Sequence, residues 1–109
     1  MATKTVFEVT SMNMVVQESF PPLVQVRAYG TTRTGGWTNG QLIQIIHVAP
    51  PKDGMIELNF VADEPTGGST DAITPIESAE LDLGLVSEGT KGVRIIAETN
   101  SIEETLSGR

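Results

Sequence analysis

The 109 residues contain no cysteine, which excludes a disulfide framework, a thiolate zinc site and a cysteine nucleophile. The fold must therefore rest on its core. Basic side chains are also few: Lys4, Arg27, Arg33, Lys52, Lys91, Arg94 and Arg109 stand against 14 acidic ones, for a formal net charge of -7. Residues 55–109 hold eleven of those acids, so this half repels phosphate backbones, and the scattered cations form no basic stripe. No nucleic-acid partner is expected. Long hydrophobic runs are missing as well, since the longest apolar stretch, Leu42 to Val48, is broken by Gln44 and His47. The opening MATKTVFEVTSMNMVV lacks the continuous apolar segment of a secretory signal. No membrane association is expected, and the chain reads as cytoplasmic by default, although a mature exported domain would look the same.

Leucine and alanine are scarce, seven of each, whereas valine, isoleucine and threonine number 10, 9 and 13. Branching at Cβ suits a pleated, half-buried surface better than a helix. The spacing agrees. In Met55 to Asp63, Ile56, Leu58, Phe60 and Ala62 share one face and Glu57, Asn59 and Asp63 the other. Leu23 to Tyr29 places Val24, Val26 and Ala28 inward. Glu77 to Leu85 does the same with Ala79, Leu81 and Leu83, and Val93 to Thr99 with Val93, Ile95 and Ala97. Gln41 to Ala49 is apolar on both faces, as an interior strand would be. Thr5 to Thr10 and Met12 to Gln17 read as edge strands. Only Ser101 to Glu104 reads as a helix start, through a capping box.

Turn signals separate these segments. Pro50-Pro51-Lys52-Asp53-Gly54 predicts a hairpin between Gln41 to Ala49 and Met55 to Asp63, and Ser87 to Lys91 predicts a second tight turn. Two connections look much longer: Gly30 to Gly40 and Asp63 to Pro75. Connections of that length in a small domain are usually put to use.

The pattern predicts one all-β domain over residues 1–109: an antiparallel β-sandwich of about seven strands with Greek-key topology. In size and architecture it resembles immunoglobulin and fibronectin type III domains, although the Cys, Trp, Cys pattern of true immunoglobulin domains is absent. If successive strands alternate in direction, the two tight turns share one end. Both long connections and the segment after Thr99 then share the other.

That second end would gather Arg33, Trp37 and Asn39 from one loop and Asp63, Glu64 and Asp71 from the other. An aromatic beside mixed charge is a common recognition surface, though a tryptophan here can equally fold back to cap the core. Catalytic constellations are absent from the pattern: His47 has only Ile45 and Ala49 beside it on its strand face, and Ser69 and Thr70 lack a base. Asp63, Glu64 and Asp71 match no calcium-loop spacing, so no metal is expected. Gly35-Gly36 and Gly67-Gly68 match no phosphate loop. Glu77, Glu80, Asp82 and Glu98 read as solvating carboxylates.

The expected function is a non-catalytic module, without cofactor, that binds a protein partner through the loop end or assembles through a sheet edge, a homodimer included. The alternative is a small-ligand module of carbohydrate type with Trp37 as the stacking platform.

Overall fold

The computed structural model describes residues 3–17, 23–45, 54–66, 72–85 and 90–106. These residues form nine strands: β1 (Thr3–Thr5), β2 (Glu8–Gln17), β3 (Leu23–Thr32), β4 (Thr38–Gln44), β5 (Met55–Asp63), β6 (Thr74–Glu77), β7 (Leu81–Leu85), β8 (Gly92–Ile96) and β9 (Ser101–Thr105). They build two mostly antiparallel sheets, an arrangement consistent with a β-sandwich. No helix among the described residues is long and apolar enough to cross a membrane.

In the first sheet β5 is central. Strand β4 pairs antiparallel with one flank, while the other flank is shared end to end by β8, parallel along Met55 to Asn59, and β1, antiparallel along Val61 to Asp63. Strand β9 then pairs antiparallel with β8. In the second sheet β3 is central, with β2 on one flank and β6 followed by β7 on the other. The chain changes sheet after β1, β3, β5 and β7, so strands after the first enter each sheet two at a time.

The alternation read from the sequence sets the core. Val24, Val26 and Ala28 of β3 meet Leu58, Phe60 and Ala62 of β5, together with Val93, Ile95 and Ala97 at β8, and all are buried in one cluster. The outer face of the β5 sheet carries a charge row set by register. Glu57, Arg94 and Glu103 stand opposite one another on β5, β8 and β9, and Arg94 bonds both carboxylates at 2.8 Å.

Several expectations are corrected. The strand count among the described residues is nine rather than about seven, because Thr74–Glu77 is a strand of its own before Leu81–Leu85, where one strand was expected over Glu77 to Leu85, and Ser101–Thr105 is a strand instead of a helix start. Pairing with β8 wins there: Ile102 faces Ile95, and the local capping preference is overridden by tertiary hydrogen bonds. Gly30 to Gly40 is not one long loop, since β3 runs to Thr32 and β4 starts at Thr38, leaving five residues between them. Strand β4 has one strand partner, β5, among the described residues, so it is an edge and Ile43 is exposed.

Ala79 is exposed and Ser78 buried, the reverse of the expected face. An irregular stretch over residues 78–80 shifts the alternation between β6 and β7. Ser78 makes the shift tolerable: its Oγ accepts the Ala28 N–H at 2.9 Å and donates to the Ala79 carbonyl at 2.9 Å. The expected β4–β5 hairpin does form, with Gly54 at φ 72. The rest of its turn, Pro50 to Asp53, lies outside the described residues, as do His47 and Ser87 to Gly89.

Both seams between the sheets are stitched. On one side the Ala79 N–H donates to the Gly40 carbonyl at 2.8 Å. On the other, the Asn100 side chain takes both main-chain groups of Val9, accepting from its N–H at 2.9 Å and donating to its carbonyl at 2.8 Å. A single amide thus stands in for a neighbouring strand.

Candidate functional site

Register fixes the two ends of the molecule. Lys91 N–H donates to the Gly54 carbonyl at 2.8 Å, which puts the β4–β5 and β7–β8 connections at one pole. At the other pole Asp63 stands opposite both Thr3 and Thr38. The 33–37 loop, the start of the 64–73 connection and the turn after β8 meet there. The expected placement of the whole segment after Thr99 at this end is corrected: β9 runs back along β8, and the Leu106 N–H donates to the Lys91 carbonyl at 2.8 Å at the opposite pole.

Five of the six expected residues converge at this pole. Asp63 is the hub of one group: Thr3 Oγ1 donates to its Oδ1 at 2.7 Å and Asn39 Nδ2 to its Oδ2 at 3.3 Å. Asn39 reaches Asp63 because it sits in a register shift of β4 at φ 58, a left-handed conformation that asparagine tolerates better than most residues. Glu64 pairs with Lys4 at 3.5 Å. Arg33 pairs with Glu98 at 3.2 Å, with its guanidinium 4.7 Å from the centroid of the Phe7 ring. Asp71 lies outside the described residues, as do Ser69, Thr70 and the Gly67-Gly68 pair.

Trp37 is half-buried. It packs against the core cluster and its indole N–H donates to Thr34 Oγ1 at 2.9 Å. It also forms part of the wall of an open groove of about 740 Å³. Arg33, Phe7 and Glu64 contribute to the same groove, Thr3 to Thr5 border it along β1, and Ile96 to Glu98 border it where β8 ends. Asn59 and Val61 of β5 complete it. The groove therefore lies where β5 passes from one neighbour, β8, to the other, β1.

The electrostatics are those of an exchangeable surface. Both ion pairs are substantially exposed, and pairs of that kind contribute about 0–1 kcal/mol because water competes for each charge. An incoming charged group can replace either partner at little cost. Asp63 differs. The Thr3 hydroxyl and the Asn39 amide both favour its ionised form and hold its carboxyl below the ordinary aspartate range. Since the folded value is the depressed one, its contribution to stability is present above the unfolded aspartate value and is lost as pH falls through the folded value. We expect a carboxyl-detected NMR titration to place Asp63 below the ordinary aspartate range, and Thr3→Val with Asn39→Ala to return it upward. An unchanged midpoint in the double variant would refute the assignment. Among the described residues no group of three or more His, Cys, Asp or Glu side chains could hold a metal ion.

The sequence reading missed Thr3, Lys4, Thr5 and Phe7, all from the first seven residues. No local signal marks them. They reach the groove only because β1 pairs with the far end of β5, across 60 residues of sequence from Thr3 to Asp63. Glu98 carried a weak signal as a strand carboxylate, and Arg33 supplies the partner that gives it a place.

No protein-family model, curated protein or solved structure matches the chain.

Proposed function

We propose that this protein is a non-catalytic binding module, a β-sandwich of immunoglobulin or fibronectin type III size that engages a protein partner through the groove at its loop pole. One observation carries the reading. Segments as distant as Thr3–Thr5, Arg33, Trp37, Glu64 and Glu98 converge on a single groove with an aromatic wall and weak, solvent-exposed ion pairs at its border. Partly packed aromatic and arginine side chains are the usual anchors of protein recognition, since they bring large contact area with little rotamer freedom left to lose. Strand pairs that alternate between sheets support the Greek-key assignment.

The test is to pan a random linear-peptide display library against the purified protein and to rescreen enriched clones on Trp37→Ala and Arg33→Glu variants. Loss of a central anchor should weaken binding about 30-fold or more. Clones indifferent to both substitutions would refute the reading. A glycan site is the second reading, favoured by the half-exposed Trp37 beside Thr5, Asn59 and Glu64. It would be supported by a glycan-induced shift in Trp37 emission in the absence of any peptide response.

A further inference from the structure

The groove offers main-chain groups as well as side chains. The Val6 N–H donates to the Phe60 carbonyl at 2.8 Å, and β1 pairs Thr5 with Val61, Lys4 with Ala62 and Thr3 with Asp63. In an antiparallel ladder, residues alternate between those whose N–H and C=O point at the partner and those whose groups point away. The Val6 N–H is turned towards β5, while its carbonyl accepts from the Glu98 N–H at 2.8 Å where β1 ends. By alternation Lys4 also faces β5, and the N–H and C=O of Thr3 and Thr5 point to the outer side of β1. The strand that could cover that side is β9, and it begins at Ser101, opposite Ile96, before reaching β1. Among the described residues no strand pairs with the outer edge of β1, and the groove runs along it.

We infer that the partner binds as an extended, basic peptide segment that adds a strand to β1. This rests on the groove being the binding site. Strand addition takes its affinity from main-chain bonds and its selectivity from neighbouring side chains. The charge around this edge favours cations. Lys4 and Arg33 are each matched by one carboxylate, Glu64 and Glu98, whereas Asp63 is held ionised by a hydroxyl and an amide. A partner lysine or arginine can pair with Asp63 directly, or displace Lys4 from Glu64. With a net charge of -7, the whole chain adds long-range attraction for a basic segment.

The experiment uses three synthetic eight-residue peptides: alternating Val and Lys, alternating Val and Glu, and the Val/Lys peptide N-methylated at every residue. Binding is followed by Trp37 emission and by amide hydrogen exchange on the ¹⁵N-labelled protein. The Val/Lys peptide should slow exchange at Thr5 at least tenfold while leaving Lys4, already paired with β5, little changed. The acidic and N-methylated peptides should each bind at least tenfold more weakly. Thr5→Pro is the decisive variant, because it deletes an N–H that β5 does not use, and proline is tolerated on strand edges. It should keep the wild-type melting temperature and lose at least tenfold in affinity. Unchanged binding by Thr5→Pro, or no added protection at Thr5, overturns strand addition. If Trp37→Ala alone then abolishes binding, the groove reading survives. If neither variant matters, both readings fall. Self-association that disappears in Thr5→Pro would make a second copy of this chain the occupant and overturn the basic-peptide assignment.

Discussion

Gly30→Val is expected to cost about 3 kcal/mol or more, at or beyond the top of the usual range for overpacking a filled site. Gly30 lies on β3, the central strand of its sheet, between Val9 of β2 and Ile76 of β6. A Cβ built on it would overlap the Glu8 carbonyl oxygen and stand 3.2 Å from Phe60 Cε2. The first obstacle is main chain, so no rotamer change relieves it. Strand β2 would have to move, and the register shift between Val9 and Ser11 that brings Glu8 over Gly30 would be lost. The measurement is the urea midpoint of the variant, with Gly30→Ala as a milder probe that should fall in between. A midpoint equal to wild type for either would contradict this account of the β2–β3 approach.

Phe60→Ala should be comparably damaging, at about 3–5 kcal/mol. Phe60 is fully buried on β5 and is the largest side chain in the core. Its replacement leaves a void bounded by both sheets, and a sandwich whose seams are tied at Asn100 and Gly40 has little freedom to collapse into it. For a domain whose entire stability is about 5–15 kcal/mol, the loss should lower Tm by roughly 15–25 °C. Phe60→Leu, which keeps most of the volume, should recover more than half of the loss. Recovery by leucine separates a packing defect from a specific need for the ring.

The contrast between these two sites shows what the sequence could disclose. Phe60 was legible because Ile56, Leu58, Phe60 and Ala62 alternate, and a period of two fixes the inward face wherever one side is buried. Gly30 was misread as the start of a long loop, because glycine beside Thr31-Thr32 carries the composition of a turn. The reason for glycine, the Glu8 carbonyl pressed against it, lies in a strand 22 residues away. The Ser78–Glu80 irregularity escaped notice for a related reason: Ala79, Leu81 and Leu83 alternate perfectly on paper, and only the Ser78 bonds to Ala28 and Ala79 reveal the slip.

The pole followed the same division. Arg33, Trp37, Asn39, Asp63 and Glu64 were readable because strand direction alone gathers the connections and the adjoining ends of β4 and β5 that carry them. The groove itself was not, because half of it comes from β1 and from the turn after β8, whose meeting depends on register across most of the chain. The Ser101-Ile102-Glu103-Glu104 segment gives the converse lesson. Its capping box is a real local preference, yet β8 offers a full ladder and the Arg94–Glu103 bond, and these outweigh one turn of helix.

The sharing of β5's flank between β1 and β8 has a consequence for biosynthesis. On a ribosome β5 emerges with β4 already beside it, but the strand that shields most of its opposite flank is made some thirty residues later, and β9 later still. Until then the nascent polypeptide carries an apolar ribbon with unsatisfied amides along one side, open to wrong neighbours. Productive closure must await release of the carboxy-terminal portion, so maturation should be slow relative to translation and sensitive to crowding by sibling chains.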